Sequence, residues 1–320
     1  MRIQLEKIFR PRSIAVIGAS SREGSAGQVL FANLLAGGFG GPVFPVNLRH
    51  GSVQGVTAFP HIGDIPQQVD LAIIVLKAHL VAEVAESCGQ AGVGGIMVVM
   101  PDFTGANPDF AEEKEKILRI CKRYGMRLLG PGTLGFIAPH ARINASLAPG
   151  MVMPGNLALI SQSDALLSSI LDWSTAQKVG FSYIVSTGNI SDIGFADLID
   201  FFGADAQTSC ILIYMESLVD ARRFMSAARS FARNKPIIVL KSGRSEEGSR
   251  AALSHTGFLA GNDDAYNAAF KRAGIIRVDT VAQLFNIAHV LALQPRPRGN
   301  RLAILTNAGG PAVLATDYLS

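Results

Sequence analysis

The sequence predicts an α/β protein made of two successive open parallel sheets, and three observations carry that expectation. Short, near-continuous Val/Ile/Leu runs recur along the chain, the pattern of strands buried on both faces. Segments with helical spacing separate these runs, which is the alternation of βαβ units. Hydrophobic residues make up 48% of the chain and charged residues only 17%. That balance excludes intrinsic disorder and describes a chain with a large core. At about 150 residues per domain, 320 residues suit two domains and a piece of a third.

The first unit, residues 1–140, begins with a strand at 13–18 (SIAVIG). Strands at 42–46 (PVFPV), 70–76 (DLAIIVL), 94–100 (GGIMVVM) and 126–130 (MRLLG) follow, with helices at 28–35, 78–91 and 110–124. Residues 131–154 are rich in Pro and Gly and lack a period, so they read as a linker. The alternation restarts in a second unit, 150–295. Its strands are expected at 156–160, 181–186, 209–215, 236–240 and 274–278, its helices at 163–177, 195–202, 220–234, 264–273 and 281–293. QPRPRGN (294–300) reads as another linker, since its two prolines allow no regular helix. A strand at 301–306 and the beginning of a helix then start a third, incomplete α/β unit at 300–320. Such a stub has no core of its own, so it either docks on the second unit or belongs to a longer protein.

Composition also limits the partners. Lys plus Arg is 29 and Asp plus Glu is 25, a net charge of +4. That is too weak a field for nucleic-acid binding. No apolar run approaches the roughly 20 residues of a membrane-spanning helix, and the start, MRIQLEKIFRPRS, has no signal-peptide core. Cys88, Cys121 and Cys210 are odd in number and far apart, which suits a reducing compartment and offers neither a disulfide framework nor a metal site. A soluble cytoplasmic protein, in contact with neither membrane nor nucleic acid and forming oligomers, is expected.

GASSREGSAG (18–27) joins the first strand to the first helix. One reading is an ordinary strand–helix turn. The other is an anion cradle, with glycines bringing backbone N–H groups to a phosphate at a helix N-terminus. The spacing is not GxGxxG, and the second strand ends in Pro45-Val46-Asn47 without a carboxylate for a ribose diol. Both details count against a dehydrogenase and leave another nucleotide ligand open.

SIAVIGAS, the long glycine loop, PVFPVN and LLGPGTLGF together resemble the CoA-binding domain of succinyl-CoA synthetase α-subunits and NDP-forming acyl-CoA synthetases. In the second unit ALISQSDALLSSILDW, STGNISDIGFADLIDFF, ILIYMESLVDARRF, PIIVLKSGRSEEGSRAALSHTGFLAG and AYNAAFKRAGIIRV follow the same family in order. The phrases ILDW, GFSY, DARRF and KSGRS also resemble the N-terminal region of Pat-type, GNAT-fused protein lysine acetyltransferases. The resemblance implies a Rossmann-like CoA-binding domain followed by a flavodoxin-like domain.

It further implies a CoA or acyl-CoA site at Gly18, Ala19, Ser20, Gly27, Pro45 and Asn47. A catalytic histidine, His255 in SHTG, would carry a phosphoryl group between an acyl phosphate and a nucleoside diphosphate. Neutral imidazole suits that chemistry. Glu216, just after a strand, would orient the imidazole. Ser161 and Ser163 would bind phosphate at a helix N-terminus, although plain helix capping explains them as well. ADP or ATP would bind through an ATP-grasp subunit or domain that this sequence lacks. Asp164 stands where the family usually has a small residue, and a carboxylate facing the phosphoryl group would repel it. MPDF (100–103) and Gly132 are two further departures. The competing expectation is a CoA-sensing module without turnover.

Overall fold

The computed structural model describes residues 2–99, 110–256, 261–294, 299 and 301–319. Helix α1 (Arg2–Phe9) leads into β1 (Ile14–Ile17), α2 (Ala26–Gly37), β2 (Val43–Val46), a hairpin of β3 (Ser52–Val53) and β4 (Val56–Thr57), β5 (Leu71–Ile74), α3 (Ala78–Gln90), β6 (Gly95–Val98), α4 (Phe110–Tyr124) and β7 (Arg127–Leu129). Five of these strands form a parallel sheet in the order β2-β1-β5-β6-β7. The core strands β1, β5 and β6 are buried at every position, as continuous apolar runs require.

The second sheet has seven strands, ordered β14-β13-β12-β10-β11-β8-β9. They are β8 (Gly135–Ala138), β9 (Ile143–Ser146), β10 (Pro154–Ser161), β11 (Phe181–Ser186), β12 (Cys210–Met215), β13 (Ile237–Lys241) and β14 (Ile276–Val278). Helices α5 (Asp164–Gln177), α6 (Phe195–Gly203), α7 (Ala221–Phe231), α8 (Glu246–Thr256), α9 (Asp263–Ala273) and α10 (Val281–Leu293) join and cover the parallel strands, and α11 (Gly309–Leu319) ends the described chain. Leu167 of α5 and Leu284 of α10 pack on one face of this sheet. Leu198 of α6, Phe224 of α7 and Phe270 of α9 pack on the other.

The α/β architecture stands, and three sequence readings change. Residues 131–154 are not a bare linker: β8 pairs antiparallel with β11, and β9 pairs antiparallel with β8. Their residues are buried throughout, and Asn33 of α2 donates to the Ser146 and Ala148 carbonyls. Pro and Gly supplied the corners of an edge hairpin. Residues 301–306 adopt no strand, because no neighbouring strand offers them backbone partners, and α11 carries no buried residue. This segment does not dock on the second sheet. Helix α1 has no counterpart in the sequence reading, yet its end is a major anchor. Phe9 is fully buried, with ring centroids 5.3 Å from Phe136, 5.3 Å from Phe201 and 6.0 Å from Phe202. Arg10 bonds to the Tyr183 hydroxyl and pairs with the buried Asp205. One apolar cluster therefore runs from Val16 and Leu71 in the first sheet to Ile160 and Ile211 in the second.

All three cysteines are free and buried. Burial pushes the Cys88 and Cys121 thiols up to about 12, which leaves them protonated and unreactive. Among the described residues no helix is long and apolar enough to cross a membrane.

Candidate functional site

Each sheet reverses its strand order once, and in open α/β sheets ligands bind beyond the carboxyl ends of the strands at that reversal. In the first sheet β2 lies on one side of β1 and β5 on the other. The crevice above them holds the glycine loop. Gly18 has φ +92°, and a Cβ there would lie 2.3 Å from the Val75 carbonyl oxygen. A Cβ on Gly27 would lie 2.0 Å from the Gly18 carbonyl oxygen. The two glycines thus let the first turn of α2 close onto the end of β1. Ser25 caps α2, accepting from the Gln28 N–H. One cap leaves the other first-turn N–H groups as a positive end for an anion.

The remaining residues expected here divide in their roles. Ser20 Oγ accepts from the Arg22 N–H. Asn47 donates to the Ala19 carbonyl at 2.8 Å and accepts from the Arg49 and His50 N–H groups, so its amide ties the glycine loop to the end of β2. Pro45 and Ala19 are buried. The side chains facing the cleft, a space of about 350 Å³, include Leu48, Arg49, Leu76 and Leu80. Leu48 is 75% exposed. These four line the cleft, and the sequence reading passed over them. An exposed apolar residue followed by arginine, directly after the strand-ending Asn47, was the available signal. Gln54, at φ +51°, donates to the Ser20 and Gln28 carbonyls and braces the loop from behind.

In the second sheet β11 lies on one side of β10 and β12 on the other. Ser161 and Ser163 lie at this reversal, at the end of β10 and the N-terminus of α5. Both hydroxyls are engaged locally. Ser161 Oγ donates to the Ser163 carbonyl and accepts from its N–H, and Ser163 Oγ caps α5 at the Leu166 N–H. Capping is their structural role, and it shapes the turn that aims the positive end of α5 at the crevice.

Asp164, the first residue of α5, faces away from that role. Its carboxylate accepts from Ser186 Oγ at 2.6 Å and from the Leu134 backbone. It is therefore committed to β11 and the start of the β8 hairpin. Burial pushes its carboxyl above the usual range, against the two hydrogen bonds that pull it down. Those two hydrogen bonds hold the carboxylate on the β11 side of the turn. Gly132 adopts φ +73°, so the departure there serves the backbone of the turn.

Glu216 directly follows β12, across the same crevice. The phenol of Tyr214 beside it is held above its usual pKa, chiefly by burial and also by the Glu216 carboxylate. Lys241, at the end of β13, is 1% exposed, stands 4.7 Å from the Tyr266 ring centroid and donates to the Ser242 carbonyl. Burial lowers its ammonium pKa, while the Asp263 and Glu216 charges raise it. The backbone of His255 lies in α8. Its side chain, together with Gly257 and residues 100–103, lies outside the described residues.

The comparisons with known proteins fit this pair of crevices. A CoA binding domain family matches residues 12–139, and the succinyl-CoA ligase like flavodoxin domain family matches residues 154–291. The α-subunit of acetate–CoA ligase [ADP-forming] I from Pyrococcus furiosus is 42% identical over 319 residues, covering 98% of this chain and 69% of that protein. The chain belongs to the ADP-forming acid–CoA ligases. Another such ligase, from Methanocaldococcus jannaschii, is 41% identical over 98% of this chain, which spans only 44% of that relative. The structure of acetyl-coenzyme A synthetase 1 from Ca. Korarchaeum cryptofilum with phosphate and ADP superimposes with a TM-score of 0.93 at 40% identity, over 98% of this chain and 68% of that one. Relative to these ligases, this chain is the CoA-binding and succinyl-CoA-ligase-like portion.

Proposed function

We propose that this chain supplies the CoA site and the phosphohistidine of a ligase that converts acyl-CoA, phosphate and ADP into free acid, CoA and ATP. Acetyl is the acyl group suggested by the relatives named above, and the nucleotide binds on an ATP-grasp partner subunit or domain. The reading is carried by the second crevice, where the N-terminus of α5 and Glu216 flank the same opening. In the first step phosphate oxygen attacks the thioester carbonyl, and CoA leaves as its thiol with a proton. The first crevice holds the CoA through the glycine loop and Leu48–Arg49. In the second step the neutral imidazole of His255 takes the phosphoryl group from the acyl phosphate and the carboxylate leaves. Glu216 accepts a hydrogen bond from the imidazole and stabilises its cationic form, while the helix end balances the phosphoryl charge. In the third step the phosphoryl group passes to ADP, regenerating His255.

Incubation with acetyl-CoA and radiolabelled phosphate, in the presence of the ATP-grasp partner, should give an acid-labile label that His255→Ala abolishes. Absence of label under these conditions and with ATP would overturn the reading. The alternative, a CoA-sensing region of a Pat-like lysine acetyltransferase, rests on the phrases ILDW, GFSY, DARRF and KSGRS. It predicts CoA binding without any label.

A further inference from the structure

We infer that Gln162 is the positioning residue that sets the direction of Glu216, an inference that rests on the phosphohistidine reading above. Gln162 stands between Ser161 and Ser163, at the exit of β10. Its side-chain Oε1 accepts from the Glu216 N–H at 2.6 Å and from the Ser217 N–H at 3.1 Å. Its own backbone N–H donates to the Tyr214 carbonyl at 3.3 Å. Three hydrogen bonds from one residue thus cross the gap between the ends of β10 and β12, where the register pairs Ser161 with Tyr214.

The chemistry of those contacts defines the role. Beyond the end of a ladder the next backbone N–H groups have no strand partner, and a buried one without an acceptor carries a desolvation cost. One amide oxygen satisfies two consecutive N–H groups here. Two consecutive N–H groups pointing at one atom fix the peptide plane between Glu216 and Ser217, and with it the line along which the Glu216 side chain leaves the backbone. The same Gln162 backbone continues into the cap of α5 through Ser163. Gln162 therefore couples the helix end and the carboxylate of one crevice through a single residue. Among the described residues, Tyr214 on its own strand and Lys241 from β13 both feel the Glu216 charge. Neither touches the Glu216 backbone in the way Gln162 does.

The test compares Gln162→Met, which keeps the length but removes the acceptor, with Gln162→Glu, which keeps it, and with Glu216→Ala. The reaction is His255 labelling from acetyl-CoA and radiolabelled phosphate in the chain plus its ATP-grasp partner. Gln162→Met should slow labelling by up to about 100-fold, the scale of a misplaced catalytic group, while the acetyl-CoA KM stays at its native value and the melting temperature falls by the cost of the two N–H groups left without an acceptor. Gln162→Glu should restore the rate at high pH, with the acidic limb of the pH profile moved upward because a second carboxylate opposes ionisation of Glu216. Native-rate labelling by Gln162→Met alongside slow labelling by Glu216→Ala would overturn the inference. So would equal slowing of both Gln162 variants at every pH. Native-rate labelling by Glu216→Ala would instead remove the proposed role of Glu216.

Discussion

Arg127 Nη2 lies 3.1 Å from Asp197 Oδ1, joining β7 of the first sheet to α6 of the second. Asp197 is 1% exposed and also receives Arg223, while Arg127 additionally grips Asp192 at 2.8 Å. Removing one partner of a buried ion pair leaves the other charge desolvated. Arg127→Met should therefore cost about 3 kcal/mol in urea unfolding. A loss below 1 kcal/mol would show that Arg223 alone compensates Asp197.

Phe9→Ala should destabilise the chain by about 4 kcal/mol, the range for deleting a buried aromatic. Phe9 reaches Phe136 of β8, Tyr183 of β11 and Phe201 and Phe202 of α6, all in the second sheet or the helix on it. Truncating the first nine residues should therefore damage the second sheet as well as the first, which hydrogen exchange on the amides of β11 would report.

Gly27→Ala should weaken CoA binding at least tenfold, about 1.4 kcal/mol, measured by titration calorimetry. The new Cβ would force α2 away from the Gly18 carbonyl and open the loop. Gly40→Ala is the matched control, since nothing lies within 4 Å of a Cβ there. Equal affinities for the two variants would contradict the proposed role of the loop.

Asp164 makes a pH prediction whose sign follows from the direction of its shift. Burial raises its folded-state pKa above the ordinary 3.8, so the folded chain holds a proton there more tightly than the unfolded chain. That contribution is full below the ordinary value and is lost as pH rises through the raised one. Asp164→Asn cannot ionise and escapes this loss. The stability of the native chain minus that of Asp164→Asn should fall as the pH rises from about 4 towards neutrality, read from paired urea titrations. A difference that grows with pH would place the shift in the opposite direction.

How much of this was legible beforehand depended on whether the information was local. Most of the parallel strands and their helices were visible because each carries its own period: residues 110–124 and 281–293 match α4 and α10 end to end, whereas α8 was not read as a helix. The edge hairpin β8–β9 was not visible, because its pairing partner, β11, lies some way along the chain and its corners use Pro and Gly. Residues 301–306 erred in the other direction. They have the composition of a strand but no neighbour to bond. Gly18, Gly27, Ser161 and Ser163 could be expected at the strand ends of the two crevices, because loop chemistry follows strand ends. Gln162 was overlooked between two serines that were noticed. What distinguishes it is a hydrogen bond to a residue 54 positions away.

The apolar cluster that passes from one sheet into the other has a consequence for how the molecule comes apart. The two matched families, 12–139 and 154–291, divide the chain on paper. Phe9, Leu34, Phe136 and Phe202 share one buried interior across that division. Heating should therefore produce a single cooperative transition, with equal calorimetric and van't Hoff enthalpies. Either half expressed alone would present a raw apolar face to water, and the smallest autonomous folding unit would include both.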